Sequence, residues 1–212
     1  MKTLKVLFSL AVVALLTSCG GEGEGHDHST EPNNNAPEQT ESVETTYNID
    51  AAKSKVNWEG TMLKMYSHTG TVDITDGSIS VKDGQVTGGE FTIDMSTMAT
   101  TDSNYDEEER TSANLIGHLS SPDFFDVANH PTANFVITDT KSGVIKGDLT
   151  IRDKTESVFI EELTVMEDEG SVTAGGTITF NRQNFDVSYQ ASMADMVLSD
   201  DVECVIKVYA TK

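Results

Sequence analysis

Histidine, methionine and carboxylate clusters are where chemistry would sit in this 212-residue chain, and none has the spacing of a known catalytic framework. His26-Asp27-His28 pairs two imidazoles with a carboxylate, a donor set that suits a transition metal, but it stands in a polar, glycine-rich stretch and reads as solvated linker. Asp102, Asn104 and Asp106 match the first three ligand positions of a calcium loop. Glu107 then stands where that loop needs glycine and Ala113 where it needs a bidentate glutamate, so the segment reads as an acidic helix start. Met62 and Met65 with His68 nearby, and the pairs Met95/Met98 and Met193/Met196, share a spacing of three. On a strand that spacing puts paired sulfurs on opposite faces, so they read as core or cavity lining rather than copper ligands. His68, His118 and His130 are scattered, and no nucleophile elbow, zinc-protease helix, phosphate loop or dinucleotide fingerprint occurs. The expectation is a protein that is not an enzyme, with no catalytic residues, no metal site and no cofactor.

The sharpest local signal lies at the N-terminus. Lys2 and Lys5 precede an apolar run from Leu7 to Leu16, then Thr17-Ser18-Cys19-Gly20. A basic start, a short apolar core and small residues at the cut describe an export signal, and the run is too short for a stable membrane span. The Leu16-Thr17-Ser18-Cys19 segment resembles the bacterial lipoprotein box, which implies cleavage after residue 18 and lipidation of Cys19. The expected location is membrane-anchored, on the periplasmic or outer-membrane/cell-surface side. Cys204 then has no partner in the chain and reads as a buried, inert thiol on the side shared with Val202, Ile206 and Val208.

Charge narrows the partners. Loss of residues 1–18 removes two lysines and leaves 12 Lys and Arg against 35 acids, a formal charge of −23. Such a surface repels nucleic acid and anionic headgroups, so membrane attachment falls to the lipid on Cys19. Residues 20–46 carry seven acids, no Lys or Arg, four glycines, Pro32 and Pro37, a composition that cannot offset chain entropy. The domain plan is thus a signal over 1–18, a lipidated cysteine and disordered acidic tether over 19–46, and one folded domain over 47–212.

From Tyr47 on, alternation with a period of two dominates: Val56, Trp58 and Gly60; Val72 and Ile74; Ile79 and Val81; Phe91, Ile93 and Met95. Later strands read as 133–138, 143–151, 157–165, 171–180 and 202–210, and turns as Asp76-Gly77, Asp83-Gly84, Lys141-Ser142-Gly143 and 167–170. Residues 105–119 read as a helix. About eight short-turned strands predict a mainly β fold, an antiparallel barrel or sandwich with one or two short helices, and the eight-stranded barrel is favoured because closure leaves no open edge.

The strongest block is Gly117-His118-Leu119-Ser120-Ser121-Pro122-Asp123-Phe124-Phe125-Asp126-Val127, followed by His130-Pro131-Thr132-Ala133-Asn134-Phe135. It resembles the signature of the YceI-like, polyisoprenoid-binding lipid carriers. Tyr47–Asp50 with Ser54–Gly60, His68-Thr69-Gly70, Gly88–Met95, Gly147–Ile151 and Phe180–Val187 resemble further family stretches in order. Arg152-Asp153 stands where the family often has Lys-Gly. The resemblance implies a lipocalin-like barrel holding a polyisoprenoid or other long-chain lipid. On that reading Trp58, Phe91, Ile93, Phe124, Phe125, Phe135 and Phe185 are candidate wall residues. Arg182 is a candidate headgroup contact, with an ion pair to a domain carboxylate as its alternative, and His118 is a candidate to fix the helix-to-loop corner. Two other readings stay open, a surface interaction module on a filled barrel and a histidine-dependent metal-binding or enzymatic role. A homodimer is also open.

Overall fold

The computed structural model describes residues 42–63, 65–106, 108, 110–190 and 197–212. Cys19, the segment 1–18, His26, His28, Met193 and Met196 lie outside the described residues. The elements are β1 (Thr45–Ile49), β2 (Lys55–Met62), β3 (Tyr66–Lys82), β4 (Gln85–Thr100), α1 (Ser112–Leu119), β5 (Thr132–Asp139), β6 (Ile145–Ile151), β7 (Lys154–Asp168), β8 (Ser171–Asn181) and β9 (Leu198–Thr211), with 3₁₀ turns at Lys141–Gly143 and Arg182–Phe185. The first strand begins at Thr45, inside the stretch read from sequence as tether.

All pairings are antiparallel, and β2 through β9 close into an eight-stranded barrel, β2 pairing with β9 and β3 with β4. The ninth strand is no extra stave. β1 lies against the ends of β3 and β9, and β2 lies against the rest of the same two strands, so the pair shares one position around the wall. Asp83-Gly84 and Arg152-Asp153 form two-residue hairpins with φ of 54° and 73°, and of 49° and 59°, the left-handed turn that matches strand twist. Arg152-Asp153 therefore makes the turn without the family's glycine.

Three bulges correct the sequence reading. Asp76-Gly77 is not a turn, because β3 runs through it with a register shift between Ile74 and Asp76. That shift moves the inward positions from Val72 and Ile74 to Ile79 and Val81. Gly77 has φ +144°, and a Cβ there would meet the Glu90 carbonyl oxygen at 2.3 Å. In β4 the register shifts between the pairs Asp73–Asp94 and Thr71–Ala99. As a result Met95 and Met98 are both buried and both face inward, contrary to the opposite faces expected from their spacing. The Ser96 amide and hydroxyl donate to Asp94 Oδ1 and the Thr97 hydroxyl to the Asp94 carbonyl, which holds the loop. In β7, Glu162 at φ +52° does the same between Ile160 and Leu163.

The helix is shorter than expected. It starts after Thr111, whose hydroxyl accepts from the Asn114 amide, and no acid occupies its first turn. The Asn104 and Glu108 amides donate instead to Asp102 and Asp106 two residues earlier, which holds this stretch in turns rather than helix. Strand directions place α1, the 119–131 segment and the 182–187 segment together at one end of the barrel. At the other end Tyr47, Val81, Val172 and Ala210, each 2% exposed or less, fill the interior.

Candidate functional site: an apolar cavity in the barrel

The inward side chains do not fill the barrel. They enclose a cavity of about 380 Å³, within the size range of small-molecule sites, to which every strand from β2 to β9 contributes. The wall is apolar because inward positions on these strands are apolar, and the bulges keep them inward along strands too long for strict alternation.

Trp58, Phe91, Ile93, Phe124, Phe125, Phe135 and Arg182 border the cavity. Phe91 and Phe135 pair across β4 and β5 with ring centroids 6.3 Å apart. Trp58 is paired with Gly70, and its indole nitrogen donates to the Thr71 carbonyl at 3.3 Å. Phe185 does not border the cavity. It is fully buried behind the wall, edge-on to Phe180 at 5.3 Å, because the 3₁₀ turn carries it away from the lumen.

Arg182 is 2% exposed, and its guanidinium is already engaged. Nε donates to the Ser199 carbonyl at 3.0 Å, Nη1 to the Val187 carbonyl at 2.6 Å, and Nη2 to Asp200 Oδ1 at 2.9 Å. It therefore ties the 182–187 segment to the start of β9, the ion-pair alternative rather than the headgroup contact. Arg152 makes a parallel clamp, Nη1 donating to the carbonyls of Phe124 at 2.8 Å and Asp186 at 2.7 Å. His130 Nδ1 lies 3.2 Å from Asp153 Oδ2. These contacts fix the segment carrying Phe124 and Phe125 over the barrel end.

His118 lies at the helix-to-loop corner and also borders the cavity, its ring 4.5 Å from that of Tyr189 and 5.3 Å from that of Phe124. His68 belongs to a different cluster. Its Nδ1 is 3.3 Å from Asp102 Oδ1, and its ring stacks on Tyr105 at 5.2 Å. Burial opposes ionisation of Asp102, but donors from Asn104, Thr69, Tyr105 and His68 outweigh it and hold the carboxyl down to about 2. Burial, then the Asp102 hydrogen bond, push the Tyr105 phenol up to about 12. His130 keeps company with Asp126 and Asp153, and no group of three His, Cys, Asp or Glu among the described residues is placed to hold a metal.

Cys204 borders the cavity with Val202 and Ile206, and burial followed by the Glu203 charge pushes its thiol up to about 12. The alternation in β9 announced that wall. Tyr66, Tyr189 and Leu163 also border it and were missed, Tyr189 because it follows a 3₁₀ turn and Leu163 because it follows a bulge. Neither position carries a periodic signal.

A closed antiparallel eight-stranded barrel around an apolar cavity, packed at one end and covered by a helix at the other, is a lipocalin-like architecture. Within that class the assignment is specific: residues 47–210 match the YceI-like domain, and the chain belongs to the YceI-like family. It is 29% identical over 149 residues to a UPF0312 protein of Ectopseudomonas mendocina, covering 66% of this chain and 72% of that one. A UPF0312 protein of Pseudomonas savastanoi pv. phaseolicola is 30% identical over 128 residues, covering 56% and 62%. Among solved structures, Burkholderia cenocepacia BcnA superposes with a TM-score of 0.58 at 21% identity, covering 77% of this chain and 99% of that one. A polyisoprenoid binding domain from Saccharophagus degradans gives 0.54 at 11% identity, covering 78% and 97%. At these identities the superpositions establish the fold.

Proposed function

We infer that this protein is an extracytoplasmic lipoprotein whose barrel binds a long-chain apolar ligand, an isoprenoid or related lipid, and carries or sequesters it. The cavity carries the reading. A barrel of this size closes readily around side chains alone, yet this one keeps about 380 Å³ free behind an apolar wall. Burying about 20 chain carbons supplies ~16 kcal/mol gross at roughly 0.8 per methylene, reduced by the cost of ordering the guest. The Saccharophagus domain of the same fold, described as polyisoprenoid binding, supports the choice of ligand class.

Anchoring rests on the sequence. The signal-like first 18 residues and Cys19 support lipid attachment outside the cytoplasm, and the acidic composition, which repels anionic headgroups, leaves attachment to that lipid. Metabolic labelling with a radioactive fatty acid tests it: label is expected on the wild-type chain and absent after Cys19→Ser. Equal labelling of both overturns the anchor.

Native mass spectrometry on the Cys19→Ser chain, purified without detergent, tests ligand binding. A bound mass that extracts into organic solvent is expected. A chain that is empty and takes up no added isoprenoid overturns the reading in favour of a barrel that serves as scaffold for surface contacts.

A further inference from the structure

A second, polar pocket of about 460 Å³ lies at the helix-covered end of the barrel. Ser103, Asn104, Tyr105, Arg110, Thr111 and Asn114 line it, and Tyr66, His68, Leu115 and His118 border both it and the apolar cavity. The wall between the two spaces is therefore a tyrosine, a leucine and two imidazoles.

Both imidazoles have hydrogen-bonding capacity there. Among the described residues, His118 Nε2 is the one buried side-chain nitrogen or oxygen with no hydrogen-bond partner from the protein itself. Leaving such an atom unpaired is costly, and an entering hydroxyl removes the cost. His68 is oriented by Asp102 through Nδ1, so in the neutral ring with that nitrogen donating, Nε2 keeps its lone pair.

The described charges of the region do not favour an anion. Asp102 is bonded to His68 of the wall and to Asn104 and Tyr105 of the polar pocket, and Asp106 accepts from Arg110 Nε at 2.8 Å. Among the described residues, these two carboxylates against one guanidinium leave no positive excess, on a chain of formal charge −21. A phosphate or diphosphate headgroup would find one guanidinium, already bonded to Asp106, whereas an uncharged hydroxyl has two imidazoles on the wall.

We propose that the ligand is an uncharged amphiphile, its hydrocarbon chain in the apolar cavity and a hydroxyl-bearing end at the wall formed by His68 and His118. This rests on the lipid-holding reading above and adds the polarity and charge of the ligand. Trp58 is the one tryptophan in the chain and borders the cavity, so its fluorescence reports occupancy.

The test is a Trp58 fluorescence titration of the full chain carrying Cys19→Ser, stripped of lipid, with three probes of matched carbon skeleton: geranylgeraniol, geranylgeranyl diphosphate and the saturated alkane phytane. The alcohol is expected to bind about tenfold more tightly than either other probe, the yield of one to two hydrogen bonds. His118→Leu, and separately His68→Phe, are expected to bring the alcohol-to-alkane affinity ratio to about one. Equal affinity of alcohol and alkane in the wild-type chain, or tightest binding of the diphosphate, overturns the headgroup assignment and leaves the lipid-holding reading standing. Binding of none of the three overturns both.

Discussion

The indole of Trp58 occupies the space that a side chain on Gly70 would need: a Cβ at Gly70 would fall 2.2 Å from Trp58 Cζ2 and 2.0 Å from the Ala99 carbonyl oxygen. Phe135 stands in the same relation to Gly147, whose Cβ would fall 2.1 Å from the ring. Two large wall residues are thus seated over bare backbone on a neighbouring strand, and their bulk lies against the wall. The residue opposite each ring decides how much lumen remains, since an added side chain there would force the ring inward.

Gly70→Ala is expected to destabilise the barrel by about 1–3 kcal/mol, the range for overpacking a close contact, and to reduce ligand uptake as Trp58 is pushed into the cavity. Chemical denaturation gives the first quantity and binding stoichiometry the second. Unchanged stability together with unchanged Trp58 emission would show that the ring has room to move elsewhere.

Asp102 makes the loop that leads into α1 dependent on pH. Its carboxyl is held at about 2 in the folded chain against an ordinary value of 3.8, so the ionised form stabilises the fold above the unfolded value. That contribution, on the order of 2 kcal/mol, is lost as pH falls from about 4 through about 2. Asp102→Asn is expected to cost about that much at pH 7, with the difference from wild type closing toward pH 2. Denaturation curves across this window check it, and a difference that does not vary with pH would assign the loss to packing.

Arg182 and Asp200 form an unequal pair, the first 2% and the second 45% exposed in their side chains. Arg182→Ala strands the Ser199 and Val187 carbonyls as well as the carboxylate and is expected to cost about 3 kcal/mol. Asp200→Asn removes only a half-exposed charge and is expected to cost under about 1 kcal/mol. Comparable losses from the two variants, measured by urea denaturation, would contradict the view that Arg182 works chiefly through backbone carbonyls.

Cys204 borders the cavity and has its thiol pushed up to about 12, so it stays protonated at neutral pH. Alkylation by a small uncharged maleimide, followed by peptide mapping, is expected to be far slower than for free cysteine. It is expected to slow further when lipid fills the cavity. Fast labelling that lipid leaves unchanged would place the thiol outside the ligand's reach.

The mainly β class, the barrel and most of its inward wall were legible in the sequence because alternation is a local consequence of strand geometry. Trp58, Phe91, Ile93, Phe135 and the β9 set were readable in this way. Tertiary structure decided what lies where the period breaks. Asp76-Gly77 reads as a turn until the pairing of β3 with β4 shows a bulge, and Met95 and Met98 read as opposed until a second bulge turns both inward. Phe124 and Phe125 reach the cavity, and Phe185 does not, because the Arg152 and Arg182 clamps hold irregular segments over the barrel end. Those placements depend on contacts between residues far apart in the chain, and so does the placement of both His68 and His118 on the boundary of the polar pocket. Local pattern carries no information about such encounters, since only closure of the barrel brings β3 and α1 to the same end.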